Sequence, residues 1–286
     1  MANSIQSATL LARQAMPGIR KQFPLMELFS FNFSEATASV GQSVNVPVFG
    51  ESAGVSKTLN SSTTIDYATE ADGNINTVTV SMDQLLFSSH ALNIHDTANL
   101  SDEVKAQIFV EGMKTVYGKA SSLVCATEAG KTYTCASKTA FTVADLLGAR
   151  GEAAKSGWNV DELVAVLSAK AYNDLLSDDK VVATLTKTAK DAVETGKIVD
   201  IFGVKIAVAS SITDSFGFLA QKSSFAIAAR PTPPIGADAA EVVYEGGIPF
   251  TCKTIADGTH ARELYVAETA FGFKKVRDIM KLALAA

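Results

Sequence analysis

NLSDEVKAQIFVEGMKTVYGKASSLVCATEAG, residues Asn99–Gly130, is the stretch on which the fold of this chain turns. It reads as the longest helix. Val104, Ile108, Met113, Val116, Ala120 and Leu123 recur at steps of three, four and five residues, close to one helical stripe. Asn99 or Ser101 caps the start, Asp102 and Glu103 complement the positive end of the dipole, and Gly130 offers a stop. Some 25 residues at 1.5 Å each make a rod of roughly 40 Å. Gly112 and Gly118 sit in its interior, where each costs about 1 kcal/mol. A close backbone contact or a bend would account for them, and so would ordinary tolerance of glycine.

Before this helix the chain is extended. Residues 43–49, SVNVPVF, place Val44, Val46 and Val48 on one face, and Pro47 makes them an edge strand. Residues 76–82, NTVTVSM, alternate again through Val78, Val80 and Met82. About 25 polar residues lie between the two strands, so the pair forms a long hairpin or loop, an excursion usually kept for function. Residues 85–100 lead into the helix. Upstream, residues 4–16 suggest a short amphipathic helix ended by Pro17-Gly18, and residues 19–42 are very apolar, from Phe23 to Phe33. That segment is either a tail on the chain's own core or an arm on a neighbour.

Beyond the helix, residues 131–140 form a polar, Thr-rich connection. Thr142-Val-Ala-Asp145 has capping-box form and starts a helix to about Lys155. Leu163–Ala169 is an almost wholly apolar run of strand length, buried on both faces, with a short helix at residues 171–176 after it. Residues 198–202, 204–210 and 225–229 are short apolar strands, and Pro231–Gly236 is a turn. Residues 242–244 and 248–255 make a hairpin around Gly246-Gly247, and residues 264–269 and 271–276 are two strands around Gly272. The closing residues 278–284 dock on the core. Strands alternating with short helices indicate an α/β or α+β domain.

The chain has 286 residues, 47% hydrophobic and 19% charged, which suits one large or two modest domains with a weakly charged surface. The net charge of −5 argues against an overall basic nucleic-acid face. Cys125, Cys135 and Cys252 form no Cys-x-x-Cys pair and read as reduced thiols of a cytosolic product. No run of 18 apolar residues occurs, so no transmembrane helix is expected.

No catalytic constellation rises above background. His90 and His95, with Asp96 beside the second, lack a second ligand cluster, and His260 stands apart. Thr195-Gly196-Lys197 lacks the upstream glycine and the following hydroxyl of a phosphate loop. Asp178, Asp179 and Asp200 read as solvated carboxylates, and Phe216, Phe218 and Phe225 as core aromatics rather than stacking platforms. Accordingly no catalytic, cofactor-binding or metal-binding residue is assigned, and no cofactor is expected.

The order of parts resembles a major capsid protein of a tailed bacteriophage, with the fold of the Hong Kong 97 type, nearest the short-tailed phage branch. Three places carry the resemblance: the sequence of arm, hairpin, long helix and mixed domain; GKIVDIFGVKIAVAS, residues 196–210, a strand, a turn glycine after an aromatic, and a second strand ending in serine; and FLAQKSSFAIAARP (218–231) with ELYVAETAFGFKKVR (263–277). The resemblance implies an N-terminal arm at 1–42 and an extended hairpin, the E-loop, at 43–95. It implies a peripheral domain with the spine helix at 96–139 and 246–286, and an axial domain at 140–245. It further implies a non-enzymatic virion subunit, assembled in the host cytoplasm, whose pentamers and hexamers enclose double-stranded DNA without reading its sequence. Portal, scaffold and decoration proteins would be its other partners, and no membrane is involved. No long scaffolding segment precedes the arm, which leaves a separate scaffold, proteolysis or unaided assembly open. Lys57 lies in the loop, but nothing identifies a crosslinking partner for it. An encapsulin-like compartment shell is the alternative. An unrelated α+β enzyme with a diffuse site at His90, His95 and Cys125 stands third.

Overall fold

A computed structural model describes residues 29–33, 43–49, 75–178, 200–222, 224–245 and 248–285. Its centre is one strand, β13 (Arg262–Lys275), of 14 residues. β12 (Ile248–Asp257) pairs antiparallel with its first half and β10 (Phe225–Arg230) with its second half. β4 (Gln84–Asn93) pairs antiparallel with residues 262–271 of the same strand. Residues 262–268, 270 and 271 have partners on both sides, so β12 and β10 share one edge of β13 and β4 takes the other. β1 (Phe29–Phe33) extends this sheet in parallel beyond β10, and β11 (Ala239–Glu245) extends it beyond β12.

The long helix, α2 (Asp102–Cys125), follows the short α1 (Ile94–Asn99) and packs on β4 and β13. Its buried hydrophobic residues are Ala106, Phe109, Val110, Met113, Val116, Tyr117, Ala120 and Val124. They meet Leu86, Tyr265, Ala267, Phe271, Phe225 and Ile227 in one cluster. A Cβ on Gly112 would lie 3.2 Å from the Cβ of Ala267, tighter than ordinary van der Waals contact, so this glycine permits the helix to approach the strand.

The second sheet has the order β5-β14-β9-β6-β8-β7: Lys131–Thr134, Met280–Ala283, Gly217–Gln221, Leu163–Leu167, Val204–Val208 and Asp200–Ile201. Every residue of β6 is buried. Val164 and Val166 join the α2 cluster. Leu163, Ala165 and Leu167 pack with Leu146, Ala149 and Ala153 of α3 (Val143–Lys155) and with Ala171 and Leu175 of α4 (Ala169–Leu176). A strand covered on both faces has no reason to alternate. α3 begins with a full capping box. The Thr142 hydroxyl accepts from the Asp145 amide at 3.3 Å, and the Asp145 carboxylate accepts from the Thr142 amide at 3.1 Å. Asp174 and Asp178 accept from the amides of Phe141 and Val143, satisfying further open donors at that helix end.

A third, two-stranded ribbon pairs β2 (Ser43–Phe49) with β3 (Ile75–Ser81), Val44 opposite Val80 and Val46 opposite Val78. Val80 and Met82 seat the ribbon on Ala226 and Ala228 of the first sheet. There Gly272 lies directly under the Ser81 carbonyl and the Met82 Cα, where no Cβ would fit.

Several expectations change. The helix ends at Cys125, not near Gly130, and its start at Ser101 has no side-chain cap. Its buried stripe has a different phase: Val104 is 45% exposed, and Ile108 and Leu123 are half-buried. The expected series contained a five-residue step, which turns about 140° around the axis and leaves the face. Residues 131–134 are a strand, β5, rather than a connection, because they pair in parallel with β14. The expected strands 264–269 and 271–276 are one strand, Arg262–Lys275, since Gly272 serves a close approach instead of a turn. Residues 198–202 reduce to a two-residue strand among the described residues, and residues 85–93 are a full strand. β4, β10 and β11 join the first sheet, and β5 and β14 the second, because ladder pairing rather than chain order sets the layers. The segments 4–16, 50–74 and 179–199 lie outside the described residues.

The corrected phase of α2 is testable. Val116→Asp places an unpaired charge among residues about 1% exposed and should cost the unassembled subunit about 3–5 kcal/mol. Val104→Asp should change stability by no more than about 0.5 kcal/mol. Urea unfolding of both variants measures the difference, and equal losses would contradict the assigned face.

Candidate functional site

The residues with reactive chemistry are scattered. His90 is exposed on β4, opposite Tyr265. His95 is exposed in α1, where its carbonyl accepts from the Asn99 side chain, and Asp96 beside it is exposed too. His260 belongs to the turn after β12, with its ring nitrogen 2.8 Å from Asp257. Arg262 donates to the same carboxylate at 2.8 Å. Hydrogen bonds from Arg262 and His260 hold Asp257 down at about 2, so one carboxylate stitches the hairpin turn. Among the described residues no group of three or more His, Cys, Asp or Glu side chains could hold a metal ion.

The cysteines are far from one another in role. Burial pushes the Cys125 thiol up to about 11, against a weaker hydrogen bond from Ser211. Burial raises Cys135 to about 12, reinforced by Asp145, and Cys252 to about 12, reinforced by Glu241. A thiolate is the nucleophile, so all three are poor ones at neutral pH. Asp178 is a helix-end acceptor, as described above, and Asp200 opens β7. Phe216 packs on Phe141 at 5.4 Å between ring centres, and Phe218 on Phe225 at 6.5 Å. All four rings are buried. Residues Thr195–Lys197, Asp179 and Lys57 lie outside the described residues. A cavity of about 510 Å³ opens at the C-terminal end of α2, lined among others by Cys125, Thr127, Asp214 and Lys281. Lys281 approaches Asp214 at 3.6 Å across it.

What the structure gathers instead is surface suited to contact. β4 is a ten-residue strand whose second edge carries no strand among the described residues, and Leu85 and Phe87 on it are 56% and 62% exposed. Both point to the face away from α2, since Leu86 between them is buried in the helix cluster. On that same face Lys253 and Glu268 form a nearly buried ion pair at 2.6 Å. Glu268 also accepts from the Thr232 hydroxyl, and Thr232 and Thr251 exchange two further bonds. This network is satisfied and fixes the 231–234 segment against the sheet. Among the described residues the second sheet ends at β7 on one edge and at β5 on the other. None of the described helices is long and apolar enough to cross a membrane. Sequence reading missed the contact surface on β4. Leu85-Leu86-Phe87 is apolar on both faces and so lacks the alternation that marks a half-buried strand.

No family model matches the chain, and no curated protein matches it. Solved structures do. The capsid structure of cyanophage P-SCSP1u matches with a TM-score of 0.59 at 13% identity, over 91% of this chain and 86% of that one. The cyanophage A-1(L) capsid matches with 0.58 at 11% identity, over 92% of each chain. A virus-like particle from Pyrococcus furiosus matches with 0.56 at 15% identity, over 95% and 97%. The chain therefore has the α+β fold of phage capsid proteins, the Hong Kong 97 type.

The raised thiols give a pH-dependent expectation. A cysteine whose pKa is raised stays neutral, and slow to react, until the pH nears the raised value. In the folded subunit at pH 8, iodoacetamide should modify none of the three cysteines in the time that it modifies all three in urea, as read by mass spectrometry. Rapid labelling of Cys135 or Cys252 in the native state would contradict their burial.

Proposed function

We propose that this chain is the structural subunit of an icosahedral phage capsid, without enzymatic activity, which self-assembles into pentamers and hexamers around double-stranded DNA. The supporting observation is the agreement of fold over nine-tenths of the chain with the capsid chains named above. The open sheet edges and the exposed Leu85 and Phe87 fit a chain whose surface is completed by neighbours. In this reading the N-terminal arm occupies 1–42. The E-loop occupies 43–95, the peripheral domain with the spine helix 96–139 and 246–286, and the axial domain 140–245. Portal, scaffold and decoration proteins are its further partners, and the host cytoplasm is the place of assembly. An acidic chain suits confined DNA that is enclosed rather than read.

The match to the Pyrococcus furiosus particle favours a second reading, an encapsulin-like compartment shell. Contents separate the two. Particles from the native source should contain nuclease-protected double-stranded DNA if the chain is a capsid subunit, and an enclosed protein if it is a compartment.

Expression followed by electron microscopy should show closed shells, alone or with a co-expressed scaffold. A chain that remains monomeric in every such condition would overturn both readings. Deleting residues 52–72, a stretch rich in Ser, Thr and Ala, should leave the subunit folded but abolish regular shells. Loss of folded, soluble protein would count against a loop that serves assembly.

A further inference from the structure

We draw no further inference here: the strongest candidate, the patch around Leu85 and Phe87 on the side of the first sheet away from α2, is an unpartnered apolar face among the described residues, and nothing in the structure shows what covers it.

Discussion

The close approach of α2 to β13 is the constraint on which the other layers depend. Gly112 faces Ala267 with no room for a larger side chain, and Phe109 meets Tyr265 edge to face at 5.5 Å beside it. A helical glycine costs about 1 kcal/mol relative to alanine. Burying Phe109, Val110 and Met113 returns roughly 1.5–3 kcal/mol each, so the exchange favours the close approach several-fold. With the helix held there, β13 has a fixed face and both of its edges are free to pair. β12 and β10 occupy one edge and β4 the other, which draws residues far apart in the chain into one sheet. The ribbon of β2 and β3 is anchored to the same strand at Gly272, on the opposite face.

The second sheet follows from a different requirement. β6 is buried on both faces, one against α3 and α4 and one toward the α2 cluster. It therefore ties the two cores together without any long connection between them. The chain closes the arrangement with β14, which pairs with β9 on one side and β5 on the other, directly after β13 has left the first sheet. Two glycines and one doubly buried strand thus set where three layers meet.

Much of this was legible in the chain because the decisive signals were local. The capping box at Thr142, the apolar run read at residues 163–169 and the alternation read at 43–49 and 76–82 each depend on neighbours a few positions away. What escaped depends on distant partners. Lys131–Thr134 is polar in alternate positions and becomes a strand only because β14 returns to it. β13 looks broken at Gly272 until the Ser81 carbonyl is placed above it. The phase of α2 was blurred because apolar residues such as Val104 also lie on its outer side. The exposure of Leu85, Phe87 and Phe202 was not legible, because it is a property of the folded layers.

Those exposed rings also decide how strong any one contact can be. Burying a phenylalanine is worth roughly 1.5–3 kcal/mol, whereas a micromolar pair of proteins needs about 8 kcal/mol. One such contact leaves two free subunits almost unassociated. A ring changes this, because each member makes the contact twice, and the last contact closes without a further loss of translational freedom. Weak edges on a rigid sheet therefore favour closed assemblies over stray dimers.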